Sequence, residues 1–232
     1  MKTTSNTMQA DFSSWEKKLP RLPLVQRDDF IIQTCNGRKV FHLGATDSPM
    51  TLDKAQRGEL LHQKLAPHCA SLVGFDVDLA AIQLLSRDFG IDNIVACDLD
   101  KEIPTERGKA EVLINGDIVE HVNSPGSLLQ ACNQLLELGG VMVLSTINAL
   151  SVKQSVRALM GREPVHPDHV AYYSFANLGV LGSRFGFQMV DCRFFAYPCV
   201  SGISKTIFNS IYRFAPAAAD GICVTYRKTS NY

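Results

Sequence analysis

The chain has 232 residues, 46% of them apolar, and its 23 Lys+Arg are balanced by 23 Asp+Glu, so one substantial domain with its own core is expected. Zero formal charge without a basic run argues against a nucleic-acid partner. No apolar stretch approaches the roughly 20 residues needed to span a bilayer, and Met1 to Asp11 has no apolar signal-peptide core, which together point to a cytoplasmic protein.

Residues 1–36 form a leader. It contains an amphipathic segment, Phe12 to Leu19, ended by Pro20 and Pro23. With Phe12 and Trp15 and no place in a sheet, this part of the chain is expected to act as a lid or a dimer arm or to form a loosely packed helix. Residues 37–232 alternate between short apolar runs and longer helix-period stretches. The pattern predicts strands at Lys39–Leu43, Ser71–Asp76, Asn93–Cys97, Ala110–Ile114 and Val141–Leu144. Helices are predicted over Thr51–Ala66, Leu79–Phe89 (stopped by Gly90) and Ser127–Leu138 (closed by Gly139 and Gly140). Ser174 is placed to N-cap a helix over Phe175–Phe185. Beyond residue 186 the rhythm breaks into strands at Phe187–Tyr197 and Ile222–Arg227, separated by a short amphipathic helix over Ser204–Phe214. The fold class is therefore α/β. It is a doubly wound, Rossmann-like, mostly parallel seven-stranded sheet with an antiparallel strand at its C-terminal edge. The seven cysteines include no C-x-x-C pair, and several, such as Cys97, sit in apolar runs. Buried reduced thiols are expected rather than a disulfide framework or a zinc site.

In such sheets ligands bind outside the carboxyl ends of the strands, where strand order reverses. The polar and glycine residues fall there. Gly44, Ala45, Thr46 and Asp47 follow the first strand, and glycine allows a ligand close to the backbone. Asp76 and Val77 end the second strand, where a carboxylate can accept hydrogen bonds from ribose hydroxyls. Asp98 and Leu99 follow the third, an acceptor for an adenine amino group and an apolar contact for the ring. Asn115, Gly116 and Asp117 follow the fourth.

In combination these segments resemble the class I S-adenosylmethionine (SAM)-dependent methyltransferases, in the branch that acts on small molecules and on sugars or lipids. Lys39-Val-Phe-His-Leu-Gly44 is similar to that family's first motif, and Leu72-Val-Gly-Phe-Asp76 to its second-strand acid. Asn93-Ile-Val-Ala-Cys-Asp98 is similar to the third. Asp117-Ile-Val-Glu-His121 and Leu135 to Thr146 resemble the Glu-His segment and the fifth strand. The resemblance spans about residues 38–228. It implies a SAM cofactor and methyl transfer to oxygen, nitrogen or carbon of a small-molecule, sugar or lipid-linked acceptor, by a monomer or homodimer. The first loop departs from the family in carrying one glycine where two or three are usual. Three rival readings are a nucleic-acid methyltransferase, opposed by the neutral charge and the lack of an Asn/Asp-Pro-Pro-Tyr/Phe motif, a SAM-binding protein without catalysis, and a nicotinamide-dependent oxidoreductase. The last is opposed by the missing G-x-G-x-x-G cradle.

On the acceptor side, His166, Tyr172 and Tyr173 lie in a segment resembling the family's His-Val-x-x-Tyr-Ser stretch and are candidates for substrate binding. His121 and His169 are candidate catalytic bases, histidine being the side chain that accepts a proton near neutral pH. For His121 the alternative is a brace paired with Glu120, and for the whole segment a structural loop. No metal site is expected, because His166 and His169 lack an evident third ligand. His62 and His68 are expected at the surface.

Overall fold

The computed structural model describes residues 12–98, 101, 103–197 and 202–232, with backbone alone for 202–205. Helix α1 (Arg27–Cys35) precedes strand β1 (Lys39–Leu43). Helices α2 (Thr51–Gln56) and α3 (Leu61–Leu65) lead to β2 (Ser71–Asp76), and α4 (Leu79–Phe89) leads to β3 (Ile94–Ala96). Next come β4 (Ala110–Gly116), α5 (Pro125–Leu135) and β5 (Leu136–Ile147). The chain then forms α6 (Val152–Leu159), α7 (Phe175–Arg184), β6 (Phe187–Phe195), α8 (Gly202–Phe214) and β7 (Gly221–Lys228).

The seven strands lie in the order β3-β2-β1-β4-β5-β7-β6. The first five pair in parallel, and β7 runs antiparallel to both β5 and β6. This is the expected doubly wound sheet, with its antiparallel C-terminal pairing at one side. From β1 the chain winds outward to β2 and β3, then returns to β4 on the other side of β1. The reversal between β1 and β4 opens a crevice at their carboxyl ends.

Parallel strands covered by helices bury both faces, so their sequences read as continuous apolar runs. Alternate residues of β1 and β4 serve opposite layers. Phe41 and Leu113 pack with Leu128, Leu129 and Leu135 of α5 and Leu178 of α7. Val40, Val112 and Ile114 pack with Ile31 and Cys35 of α1 and Leu61 and Leu65 of α3. All six described cysteines are reduced, and five of them (Cys35, Cys97, Cys132, Cys192 and Cys223) are buried. Among the described residues no helix is long and apolar enough to cross a membrane.

Several expectations are corrected. The end of the leader is not free: residues 27–35 form α1, whose Ile31 and Cys35 are wholly buried. Ahead of it the Phe12 ring lies 5.3 Å from that of Phe175, and the Val25 N–H donates to the Phe194 carbonyl. A Cβ on Gly179 would come within 2.1 Å of the Phe12 ring, so glycine there admits the aromatic. The single helix expected over Thr51–Ala66 is two helices, broken at Gly58, whose φ of +65° is left-handed. His62 is not at the surface but 1% exposed, stacked on His42 with the two Nδ1 atoms 3.2 Å apart. Burial holds both imidazoles below the ordinary value, well below in the case of His42. Helix α5 stops at Leu135, and β5 begins there, earlier than expected.

Lys228 closes the end of α5. Its buried ammonium donates to the carbonyls of Asn133 (2.7 Å) and Leu136 (3.0 Å), at the helix end where carbonyls run out of backbone donors. Lys228→Met keeps the stem and removes both donations. A loss of roughly 1–3 kcal/mol is expected, measured as a lower urea midpoint at constant slope; an unchanged midpoint contradicts the capping role.

Candidate functional site

The crevice is a cleft of about 670 Å³, within the usual range for small-molecule and cofactor sites. Gly44, Ala45, Thr46 and Asp47 line it from the end of β1, Asp76 and Val77 from β2, Asp98 from β3, and Gly116 and Asp117 from β4. His121, His166 and His169 close one side.

The first loop is built by its neighbour strand. The Phe75 carbonyl accepts from the N–H groups of both Gly44 (2.9 Å) and Ala45 (3.3 Å). The Asp76 carboxylate accepts from the N–H of Thr46 (2.9 Å) with one oxygen and from that of Asp78 (3.0 Å) with the other. Each carboxylate oxygen keeps a second lone pair for a ligand. Gly44 has φ of +69°, and a Cβ there would stand 3.0 Å from Ile118 Cδ1. Gly74 of β2 is equally constrained, since its Cβ would lie 2.7 Å from that of Ala45. Asp47 also takes a left-handed φ of 56°, a conformation aspartate tolerates better than most residues, and its carboxylate pairs with Lys54. The buried hydroxyl of Thr46 has no hydrogen-bond partner.

Arg27 is the residue that sequence reasoning missed. From the start of α1 it reaches the cleft floor, 3.1 Å from the Asp117 carboxylate, and its Nε donates to Ser145 Oγ (3.0 Å). Burial opposes its charge, but Asp117 and then Asp28 outweigh that, and its pKa is raised. Gly116 leaves room for it, because a Cβ there would be 2.7 Å from Arg27 Nη2. Nothing in Gln26-Arg-Asp-Asp29 separates this arginine from a solvated one; only the docking of α1 does.

Two backbone ties bring the histidines together. The Val170 N–H donates to the Glu120 carbonyl (2.8 Å), and that of Ala149 to the Tyr173 carbonyl (2.8 Å). The latter tie is steadied by buried Asn148, whose amide donates to the carbonyls of Ala217 and Ala219 at 2.8 Å each. A turn at Pro167 returns the His169 N–H to the His166 carbonyl (3.0 Å). Ring centroids are 4.4 Å apart for His121 and His169, 5.1 Å for His166 and His169, and 5.6 Å for His121 and His166. Burial, then His121 and His166, holds the pKa of His169 below its ordinary value.

Other candidates lie elsewhere. Asn115 is wholly buried, its amide directed at Cys132 Sγ (3.8 Å). Tyr173 is 8% exposed and packs in the core. Tyr172 lines a separate depression with Ala149, Gln154 and Arg162. Leu99 lies outside the described residues.

Glu120, 1% exposed, has its carboxyl pKa pushed up to about 7, first by burial and then by the Asp117 charge. Such a group binds its proton more tightly in the folded than in the unfolded chain. Its stabilising contribution is therefore complete below the unfolded value of 4.5 and is lost as pH rises through about 7. Glu120→Gln should remove this dependence and leave the protein more stable than wild type at pH 8 by roughly 3 kcal/mol, measured by urea unfolding at pH 5 and pH 8. Parallel losses in both proteins between the two pH values would refute it.

A family model described as a methyltransferase domain matches residues 55–191, more than half of the chain. Curated relatives include the ubiquinone biosynthesis O-methyltransferase of Leptothrix cholodnii, 30% identical over 128 residues (53% of this chain, 54% of the relative). That of Roseobacter denitrificans is 32% identical over 117 residues (49% and 47%). The chain thus spans about half the length of the curated relatives it matches. Among solved structures, the N-methyltransferase NodS from Bradyrhizobium japonicum in complex with S-adenosyl-L-homocysteine aligns with a TM-score of 0.57 at 14% identity, over 88% of this chain and 86% of that one. A SAM-dependent methyltransferase from Archaeoglobus fulgidus aligns with a TM-score of 0.58 at 16% identity, over 86% and 90%. The structural likeness establishes the fold and the sequence match the lineage: the chain belongs to the methyltransferase-domain family.

Proposed function

We propose that the protein binds SAM in the cleft and transfers its methyl group to a small-molecule acceptor. The observation that carries this reading is the convergence of the loops after β1, β2, β3 and β4 on one cleft at the strand-order reversal, in a chain of the methyltransferase-domain family. The curated relatives, named as ubiquinone biosynthesis O-methyltransferases, support an oxygen acceptor.

The cleft suits the cofactor. Asp76 offers free lone pairs for the ribose hydroxyls, and Asp98 an acceptor for the adenine amino group. The unpartnered hydroxyl of Thr46 and the guanidinium of Arg27 suit the amino-acid end. Ile118, Val122 and Leu128 supply an apolar wall. When bound, SAM supplies an activated methyl on a sulfonium, so the protein's task is alignment and exclusion of water. An oxygen or nitrogen acceptor must also lose a proton. His169, kept neutral by burial and by its two neighbours, is the base at that end, with His121 beside it.

Asp76→Ala is expected to weaken binding of S-adenosylhomocysteine by roughly 1.5–3 kcal/mol, the scale of hydrogen bonds to a charged group, as measured by calorimetry. Unchanged affinity in a folded variant would overturn the ribose role. With a catechol-type or phenolic acceptor, His169→Ala should lower kcat by roughly 10²–10⁴-fold while cofactor affinity stays near wild type. Wild-type turnover would remove the histidine from the mechanism.

A further inference from the structure

The histidines at the mouth of the cleft form a set that neither the sequence reading nor the family match assigns. His121 comes from the loop after β4, and His166 and His169 from the turn before α7. One ring nitrogen from each lies within 4.8 Å of the other two. The Asp168 carboxylate stands at the edge of the cluster, 3.8 Å from His166 Nδ1, and the three rings face one another. The Nδ1 of His169 is buried and has no hydrogen-bond partner. A buried, unpaired polar atom in a native fold calls for a reason, and this one belongs to the ring whose centroid is 4.4 Å from that of His121 and 5.1 Å from that of His166.

We propose that His121, His166 and His169 bind one divalent transition-metal ion of the zinc type, with its fourth position open towards the cleft. Three neutral imidazoles are a donor set for such an ion, and three protein ligands with one open position is the arrangement of a site that takes a further ligand. Nitrogen atoms about 2.0–2.1 Å from a tetrahedral ion are about 3.3–3.4 Å from one another. The rings must therefore close from their present spacing. His121 and His166 are exposed and can rotate; His169, partly buried and tied through Val170 to Glu120, is the fixed member. His166 now accepts weakly from the Asp168 N–H (3.3 Å), with the Asp168 carboxylate 3.8 Å from the same Nδ1. On closing, that nitrogen donates to the carboxylate instead, which sets the ring's tautomer, as outer-shell carboxylates do at histidine metal sites.

The assignment deepens the methyl-transfer reading and rests on it for the identity of the fourth ligand. That ligand is a hydroxyl oxygen of the acceptor, so the acceptor class is a hydroxylated small molecule. With the ion in place His169 serves as its ligand rather than as the base: the ion polarises the O–H bond, and the proton leaves to solvent. The resulting oxygen takes the methyl group as the carbon–sulfur bond breaks, its electron pair remaining on sulfur.

The test uses the full chain, stripped with a chelator and titrated with Zn²⁺ by calorimetry and with Co²⁺ by visible absorption. Binding of S-adenosylhomocysteine is measured separately on the same samples. One ion per chain is expected, with a tetrahedral Co²⁺ spectrum free of thiolate charge-transfer bands. Affinity should fall at least tenfold in each of His121→Ala, His166→Ala and His169→Ala. Because His121 and His166 are exposed, their variants should melt as wild type does, so a loss in them reads the site and not the fold. No stoichiometric binding, binding that survives all three substitutions, or a thiolate spectrum would overturn the metal site. If S-adenosylhomocysteine binds and metal does not, the metal assignment alone fails. If metal binds and S-adenosylhomocysteine does not, the site stands and the cofactor reading fails.

Discussion

The floor of the cleft is an ion pair that most of the surrounding elements share. Arg27 meets Asp117 at 3.1 Å, Ser145 Oγ lies 3.1 Å from the same carboxylate, and Arg27 also pairs with Asp28, which in turn holds Lys64 at 2.7 Å. These contacts link α1, α3 and the ends of β4 and β5. Taking such charges out of water costs much of what their attraction returns, so the net gain in stability is small. Losing one partner is a different matter, because the other charge then stays partly buried with less to offset it. The docking of α1 and the shape of the cleft floor are thus one cooperative arrangement. Helix α1, which looked separable in sequence, supplies Arg27 to the wall of the site.

The same economy runs through the rest of the cleft. Asp76 uses one lone pair of each carboxylate oxygen to hold the chain at Thr46 and Asp78, so the group best placed to meet a ligand also shapes the loop that surrounds it. Gly74, two residues earlier on β2, gives Ala45 the space that a larger residue would take. The first loop therefore needs fewer glycines of its own than its family usually carries: part of the required room is supplied by the neighbouring strand. Asp47 and Asp117, both with left-handed φ, flank the opening, in keeping with the concentration of uncommon backbone conformations at functional sites.

The sheet and four of its strand-end loops were legible in the sequence because both are local signals. Apolar runs mark buried parallel strands, and a turn residue directly after each run marks the ligand side. What was not legible depends on distant packing. Arg27 gains its place only from the register of α1. His62 reads as surface within a helix, yet the break at Gly58 turns α3 so that it faces His42 under the sheet. Tyr173 reads as a donor for a substrate, but its bridge to Asn148 carries it inward. The third histidine of the cluster was in view throughout. His121 is 45 positions before His166 in the chain, and backbone ties such as that from Val170 to Glu120 bring them to one place.

The cysteines have a further consequence. Those that are buried sit on separate parts of the architecture: Cys35 at the end of α1, Cys97 beyond β3, Cys132 on α5, Cys192 on β6 and Cys223 on β7. Only Cys69, among the described residues, is partly open to solvent in the folded chain. A thiol reagent must therefore wait for each region to open before it can react, and the order of alkylation records the order in which the regions open. The described cysteines are thus reporters of local unfolding on helices and sheet alike, with no label added. Cys97 lies within the cleft wall itself, where any bound molecule slows its modification and is registered by the same chemistry.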